Sequence, residues 1–182
     1  MGQKGVIFGL SQLEVETAIR QLQKYQSDFE KKVILFVEKL ADVGIFTAQA
    51  HSGGFEEYIA FGKEVNSEKT GVKAIVYITN KQFLVSEWQL ADGSIKRAEA
   101  SPILLAEFGS GLLADNPDAG KFGMGQGTFP GQTHAFDEDG WWWMTTDGEW
   151  HHSYGVPAEM PMAFACAQII VNVRKAAREV FG

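Results

Sequence analysis

The first quarter of the chain alternates hydrophobic and polar positions with the period of an α-helix. Apolar residues recur every three or four positions, which is the spacing of one helical face. Ser11 followed by Glu14 is a capping box, in which each side chain satisfies a backbone amide at the helix start. Gly44 favours a helix end, because glycine adopts the left-handed conformation at low cost. The pattern predicts a helix over about residues 11–43, roughly 45–50 Å long at 1.5 Å per residue.

A helix of this length is longer than a compact domain requires. Its apolar side chains would each contribute roughly 1.5–3 kcal/mol on burial, so they favour docking. We therefore expect the first half of the helix to dock on a neighbouring subunit, with a coiled coil as the alternative. The predicted face consists of Val15, Ala18, Leu22, Tyr25, Phe29, Val33, Phe36, Leu40 and Val43.

The middle of the chain carries strand patterns. Residues 72–79 are rich in β-branched side chains, and residues 82–90 continue the strand character after a short turn. The Asp-Gly pair at 92–93 predicts a hairpin turn, because both central positions of a type I′ turn need positive φ. Residues 94–100 would then form a third antiparallel strand.

Two regions lack a periodic pattern. Residues 47–70 predict a loop with a short helix. Residues 109–140 are rich in glycine and contain two prolines, which predicts a long irregular loop. Since an irregular stretch of this length inside a compact domain usually serves a function or a partner, we expect both regions to make contacts outside the subunit.

The C-terminal part predicts a hairpin over residues 141–152 and a helix over 161–181 that opens with Pro161 in its first turn. Strands grouped between helices, rather than alternating with them, indicate an α+β fold. We expect a single domain over 1–182. It would have an antiparallel sheet, the long N-terminal helix and the C-terminal helix packed on one face, and the long glycine-rich loop.

Composition and charge narrow the possible partners. The 182 residues suffice for one domain with a core. A net charge of -7 disfavours sequence-independent binding to phosphate backbones. The single cysteine, Cys166, can neither form an internal disulfide nor bind zinc alone. We expect no membrane span, because no stretch approaches 18 apolar residues, and no signal peptide.

The histidines show no metal-binding spacing. Neighbouring residues on a strand point to opposite faces, so His151 and His152 are poorly placed to share a metal ion. A zinc site with His134 and Asp137 is the alternative to a role as polar contact residues. The glycines around Met124 lack the Gly-Lys-Ser/Thr ending of a phosphate loop. We expect neither a metal nor a cofactor.

Three consecutive tryptophans are the most unusual feature of the sequence. Strand alternation would put Trp141 and Trp143 on one face and Trp142 on the other. An exposed pair could stack on sugar rings. Aromatic side chains also contribute strongly to protein interfaces, and a partner contact is the interpretation that we favour.

Two segments resemble the tail-completion, or head–tail joining, family of long-tailed bacteriophages. Members carry an E-F/Y-G-T segment after the central strands and a G-x-x-A-x-P-F-[LM]-x-x-A segment that opens the last helix. Residues 107–110 (EFGS) match the first, with serine in place of threonine. Residues 151–165 (HHSYGVPAEMPMAFA) are similar to the second, with Met162 where phenylalanine is usual. The family's T-G-x-L segment is not evident, and residues 51–54 (HSGG) stand in its place.

The resemblance implies a structural virion protein with no reaction of its own. Such subunits form a ring, usually of six, at the head-proximal end of the tail tube. The implied partners are other copies of the chain, the tail tube protein and neck or connector proteins. The protein would be assembled in the host cytoplasm and located in the virion tail or neck. Viral DNA would pass through the ring without sequence-specific binding.

The predicted site residues fall into two groups. Glu107, Phe108 and Gly109 are expected to anchor the glycine-rich loop to the core. The second group comprises bulky side chains expected to contact neighbouring subunits, the tube or the neck. These are Phe55, Tyr58, Phe61, Phe122, Met124, Phe129, His134, Phe136 and Trp142.

Two alternatives to the structural role remain open at the level of sequence. A tail-associated cell-wall hydrolase could use His134, His151 or Glu107. A carbohydrate-binding module could use Trp141 and Trp143.

Overall fold

The computed structural model describes residues 11–68, 70–111, 113, 138–144 and 148–182. The helices of these residues are α1 (Gln12–Ala50), α2 (Pro102–Phe108) and α3 (Pro161–Phe181), with one 3₁₀ turn at Gly53–Phe55. The strands are β1 (Ile59–Glu68), β2 (Gly71–Asn80), β3 (Leu84–Gln89), β4 (Ile95–Ala100), β5 (Ser110–Gly111), β6 (Trp141–Met144), β7 (Trp150–Ser153) and β8 (Gly155–Val156). The strands pair as small antiparallel sheets, which confirms the predicted α+β fold with long N-terminal and C-terminal helices.

Helix α1 begins as the capping box predicts and ends later than expected. The Glu14 amide donates to the Ser11 hydroxyl at the helix start. The helix passes through Gly44 and continues to Ala50, so the predicted end at Gly44 was wrong. A Cβ at Gly44 would lie 2.7 Å from the Ile169 Cδ1 and 3.5 Å from a Val76 methyl group. Gly44 therefore permits α3 and β2 to approach α1 closely, and it does not stop the helix.

Helices α1 and α3 pack against each other in antiparallel orientation. The rings of Phe36 and Phe181 lie 5.8 Å apart near one end, and His51 stacks on Phe164 at 4.0 Å near the other. Small residues allow the two backbones to come close, as tight packing without voids requires. The buried small residues of this contact are Ala41, Gly44 and Ala48 on α1, and Ala165 and Ala176 on α3.

The strand β1 corrects the prediction of a loop over residues 47–70. It pairs with β2 along its whole length, from Ile59 opposite Asn80 to Glu68 opposite Gly71. Its second half is mostly polar and exposed, which hides the alternation that predicts a strand. Gly62 lies opposite Tyr77, whose ring occupies the space where a Cβ at Gly62 would stand. The backbone pairing with β2 thus determines the conformation of a segment whose own pattern is weak.

The expected hairpin is confirmed, because β3 pairs with β4 on either side of residues 92–93. The predicted type I′ turn was wrong, since of these two residues Gly93 alone has a positive φ, at 83°. The Ser94 amide and hydroxyl both donate to the Asp92 carboxylate, at 2.9 and 2.6 Å. These bonds hold the pKa of Asp92 below its ordinary value.

The buried core lies between the end of α1, the β1–β2 hairpin and α2. Its buried members are Phe55, Ile59, Leu105 and Ala106. Helix α2, which the sequence pattern did not predict, supplies two of the four. It has proline at its first position, and the Asn80 Oδ1 accepts a hydrogen bond from the Ile103 amide at 3.2 Å.

Candidate functional site

Two segments that are distant in sequence lie side by side at the start of α3. β5 pairs with β8, with Ser110 opposite Val156 and Gly111 opposite Gly155. This pairing brings the end of α2 against the loop that leads into α3. We call residues 106–111 together with residues 155–164 the α2–α3 junction.

The Glu107 carboxylate accepts hydrogen bonds from free backbone amides at the start of α3. The residue before that helix, Met160, is in the left-handed conformation with a φ of 50°, and its side chain makes no capping hydrogen bond. Instead, the Met162 amide donates to Glu107 Oε2 at 2.9 Å and the Ala163 amide donates to Glu107 Oε1 at 3.0 Å. A carboxylate at this end of a helix satisfies free backbone donors and interacts favourably with the helix dipole.

The environment of Glu107 perturbs its titration. Burial raises the pKa of the Glu107 carboxyl above its ordinary value, and the amide hydrogen bonds from Met162 and Ala163 lower it to a smaller extent. The same segment is also held by its backbone. The Ala106 carbonyl accepts hydrogen bonds from the amides of Glu159 and Met160, at 2.9 and 3.0 Å. The junction therefore has backbone and side-chain contacts of its own.

The end of α1 adds a third segment to the junction. The His51 ring stacks on Phe164 with an interplanar angle of 14°. Gly53, with a φ of 56°, lies so close to Glu159 that a Cβ would stand 2.6 Å from the Glu159 Cγ. Residues 51–54 (HSGG) thus contact α3 and the loop that leads into it.

The chain leaves and re-enters the described structure at neighbouring places. Gly111 lies opposite Gly155, and Trp141 lies opposite Ser153, two residues earlier on the same stretch of chain. A Cβ at Gly155 would stand 2.0 Å from the Ser110 carbonyl oxygen, and one at Gly140 would stand 2.3 Å from the Ser153 carbonyl oxygen. Both close approaches therefore require glycine.

One face of the β6–β7 hairpin presents aromatic rings to solvent. Trp142 and His152 are paired across the strands and stack at 4.7 Å, and Tyr154 meets the His152 ring edge-on at 4.6 Å. Trp142, Trp150 and Tyr154 are each more than half exposed. Of these, sequence reasoning found Trp142 alone. The two-residue spacing of the aromatic residues 150, 152 and 154, at and just after β7, was the signal that could have found the others.

The expected contact residues lie in different surroundings. Phe55 is buried in the core, and Tyr58 and Phe61 are partly buried against it, so these three side chains contribute to the fold of the subunit. For Phe55 this corrects the expectation of a surface contact, because the side chain packs on α2. Trp142 is 63% exposed. The remaining expected contacts, Phe122, Met124, Phe129, His134 and Phe136, lie outside the described residues.

The expected anchor residues lie together at the junction. Glu107 bonds to α3, Phe108 is half-buried, and Gly109 is buried with a φ of 67° that suits glycine. The Gly109 amide donates to the Leu105 carbonyl at 2.8 Å and closes α2.

The candidate catalytic residues Glu107, His151 and His152 lie in different surroundings. His151 lies 3.9 Å from the Glu149 carboxylate on the exposed hairpin, and His152 is bonded to the Asp139 carbonyl at 2.8 Å. Both oxygens of Glu107 accept hydrogen bonds from backbone amides. Within the described ranges, no three side chains of His, Cys, Asp or Glu are grouped as a metal site. The side chains of Trp141 and Trp143, the expected sugar platform, lie outside the described part of the structure.

Among the described helices, none is long and apolar enough to span a membrane. Comparison of the chain with protein-family models, curated proteins and solved structures finds no match.

Proposed function

We propose that this chain is a structural subunit of a bacteriophage tail, of the tail-completion or head–tail joining kind. In this proposal copies of the chain form a ring at the head-proximal end of the tail tube, and such rings are usually six-membered in the family that it resembles. The ring contacts the tube on one side and neck or connector proteins on the other. The subunit carries no reaction of its own.

One observation carries the proposal. The two short segments that resemble the family, residues 107–110 and 151–165, are far apart in sequence and pack together as the α2–α3 junction. Glu107, in the first segment, accepts hydrogen bonds from backbone amides in the first turn of α3, and this helix begins within the second segment. Short motifs that match by chance have no reason to meet in space, whereas motifs that define a shared fold element do.

Quantitative mass spectrometry of gradient-purified phage particles tests the proposal. We expect this protein in the particle at about the copy number of one ring, far below the capsid and tube proteins. Its absence from purified particles would reject the structural role. In that case a peptidoglycan zymogram would test the hydrolase alternative.

The exposed aromatic face of the hairpin supports a second candidate, a carbohydrate-binding surface. Trp142, Trp150 and Tyr154 present flat rings to solvent, and such rings stack on the apolar faces of sugars. Titration of the purified protein with a soluble cell-wall polysaccharide would quench tryptophan fluorescence if the candidate is correct. The Trp142→Ala variant should then lose most of the quenching, and an unchanged signal in the wild type would reject this candidate.

A further inference from the structure

The N-terminal part of α1 carries an apolar face that extends beyond α3. Phe29 meets Phe181, the last residue of α3, at 5.9 Å, so the residues of α1 before Phe29 project past the end of that helix. The projecting part is about 25 Å long at 1.5 Å per residue. The exposed apolar side chains that recur on its face at helical spacing are Val15, Ile19, Leu22, Tyr25 and Phe29, and Ala18 on the same face is buried.

Helix α3 carries a second apolar surface, on the side away from α1. From Pro161 to residue 173 its only polar side chains are Gln168 and Asn172. One side of the helix is buried against the subunit. On the other side, Ile170 is 66% and Val171 is 72% exposed, and the outward side chains of Cys166 and Val173 are also exposed. A helix that is hydrophobic all round is normally covered on every side.

We infer that the projecting face of α1 in one subunit packs on the outward face of α3 in a second copy of the chain. The α1 face spans about 21 Å from Val15 to Phe29, and the exposed α3 surface spans about 10 Å from Cys166 to Val173, so α3 would cover about half of the α1 face. The same stripe of α1, in its later turns, already packs on α3 within the subunit. The contact between subunits therefore extends a type of packing that the fold already uses.

Charge favours one orientation of this contact. The first turns of α1 carry Glu14 and Glu16, and the last turns of α3 carry the basic residues Arg174, Lys175 and Arg178. Antiparallel packing places the acidic start of α1 beside the basic end of α3. Parallel packing would instead place the mixed charges of Asp28, Glu30, Lys31 and Lys32 beside those basic side chains. Complementary charges of this kind select the orientation and the partner.

The contact uses two different surfaces of one subunit, so each subunit offers one of them to the next. Such a head-to-tail contact closes into a ring where its rotation allows closure. This inference rests on the proposed function, because the contact is the one that would build the ring. It names the helices through which neighbouring subunits bind.

Two charge-introducing substitutions test the interface. Leu22→Glu alters the α1 face, and Ile170→Glu alters the α3 face. Since both side chains are more than half exposed in the subunit, each variant should remain folded, which circular dichroism checks. We expect the wild type to sediment as an oligomer larger than a dimer, and each variant alone as a monomer. Leu13→Glu is the matched control, because Leu13 is 69% exposed on the opposite side of α1.

Mixing the two variants gives the sharper result. Each retains one intact surface, so an equimolar mixture should form one-to-one heterodimers that do not grow further. If Ile170→Glu assembles like the wild type, α3 is not the partner and the inference is overturned. A wild type that sediments as a monomer overturns it as well. The proposed function is decided separately, because particle mass spectrometry would still detect the ring if its subunits used another interface.

Discussion

Gly44 lies within α1 where α3 and β2 come closest. A methyl group at this position would meet the Ile169 Cδ1 at 2.7 Å, inside the normal contact distance, and the Val76 methyl at 3.5 Å. A glycine in the middle of a helix weakens the helix by about 1 kcal/mol relative to alanine. Its presence here indicates that close packing contributes more than helix propensity at this position.

Gly44→Ala is therefore expected to lower the free energy of unfolding by about 1–2 kcal/mol. Overpacking costs roughly 1–3 kcal/mol, and the gain in helix propensity offsets part of that cost. Chemical denaturation measures the change. Gly54→Ala is the control, because a Cβ at Gly54 meets no atom within 4 Å. Adding Ile169→Val should restore part of the stability, and a stabilised Gly44→Ala protein would show that α3 packs less closely than described.

Glu107 is expected to stabilise the folded protein more at low pH than at neutral pH, which is the reverse of the usual effect of a carboxyl group. Because burial raises its pKa in the folded protein, the folded state holds the proton more tightly than the unfolded state does. The contribution of this group to stability is therefore greatest below the ordinary glutamate pKa of 4.5. It decreases as pH rises through 4.5 to the raised pKa, and it is constant above that.

The neutral variant Glu107→Gln isolates this effect. The stability of the wild type minus that of the variant should decrease between pH 4 and neutral pH, by about 1.4 kcal/mol for each unit of pKa difference. Urea denaturation across that range measures it, with Glu57→Gln as an exposed control. A difference that instead increases with pH would mean that the amides of Met162 and Ala163 favour the charged carboxylate more than burial opposes it.

At the scale of elements, α2 depends on a side chain from the preceding sheet. Asn80, at the end of β2, accepts a hydrogen bond from the Ile103 amide and donates one to the Ser101 hydroxyl at 3.1 Å. A helix of seven residues has little stability of its own, since most of its hydrogen-bonding groups lie at its ends. The position of α2, and with it the buried Leu105, therefore depends on this cap.

Removing the cap with Asn80→Ala should cost about 1–2 kcal/mol of stability, as the loss of a helix-capping side chain does. The exposed Asn66 on the neighbouring strand β1 provides a matched control, for which Asn66→Ala should change stability by less than about 0.5 kcal/mol. Thermal unfolding of the two variants compares them directly. Equal melting temperatures would indicate that the contact of Asn80 with Ile103 contributes nothing.

Sequence periodicity predicts the long elements and misses the short ones. The spacing of apolar residues and the capping box located α1, and Pro161 located α3, because helices of several turns repeat their pattern many times. β1 and α2 were missed for opposite reasons. β1 is half polar and depends on pairing with β2, and α2 is too short to show a period. The meeting of Glu107 with α3 is a long-range contact, which local patterns do not contain.

At the scale of the whole molecule, the subunit is unevenly stabilised. The later half of α1 is held by α3 and the sheet, and it forms an ion pair between Lys39 and Glu179 at 2.7 Å. In the first half the apolar side chains are mostly exposed, and Ala18 is the one residue between Gln12 and Glu30 that is buried. Helices without tertiary contacts are only marginally stable in water.

Hydrogen exchange should reveal this difference. In a monomeric variant such as Leu22→Glu, amides of residues 15–28 should exchange far faster than those of residues 36–48. In the assembled wild type, the first group should become protected, since packing on a second subunit suppresses local opening. Mass spectrometry of peptic peptides measures both. Equal protection of residues 15–28 in monomer and oligomer would show that assembly leaves this part of α1 uncovered.

The neighbouring exit and entry of the chain at Gly111 and Trp141 have a consequence for variation among related subunits. Both ends of the intervening stretch are fixed on the same piece of chain, residues 153–156. The entropic cost of closing a chain segment between fixed ends grows by only about 0.6 kcal/mol for each doubling of its length. Because the two fixed ends already lie side by side, we expect related subunits to differ in the number of residues between Gly111 and Trp141 more than in their helices and strands.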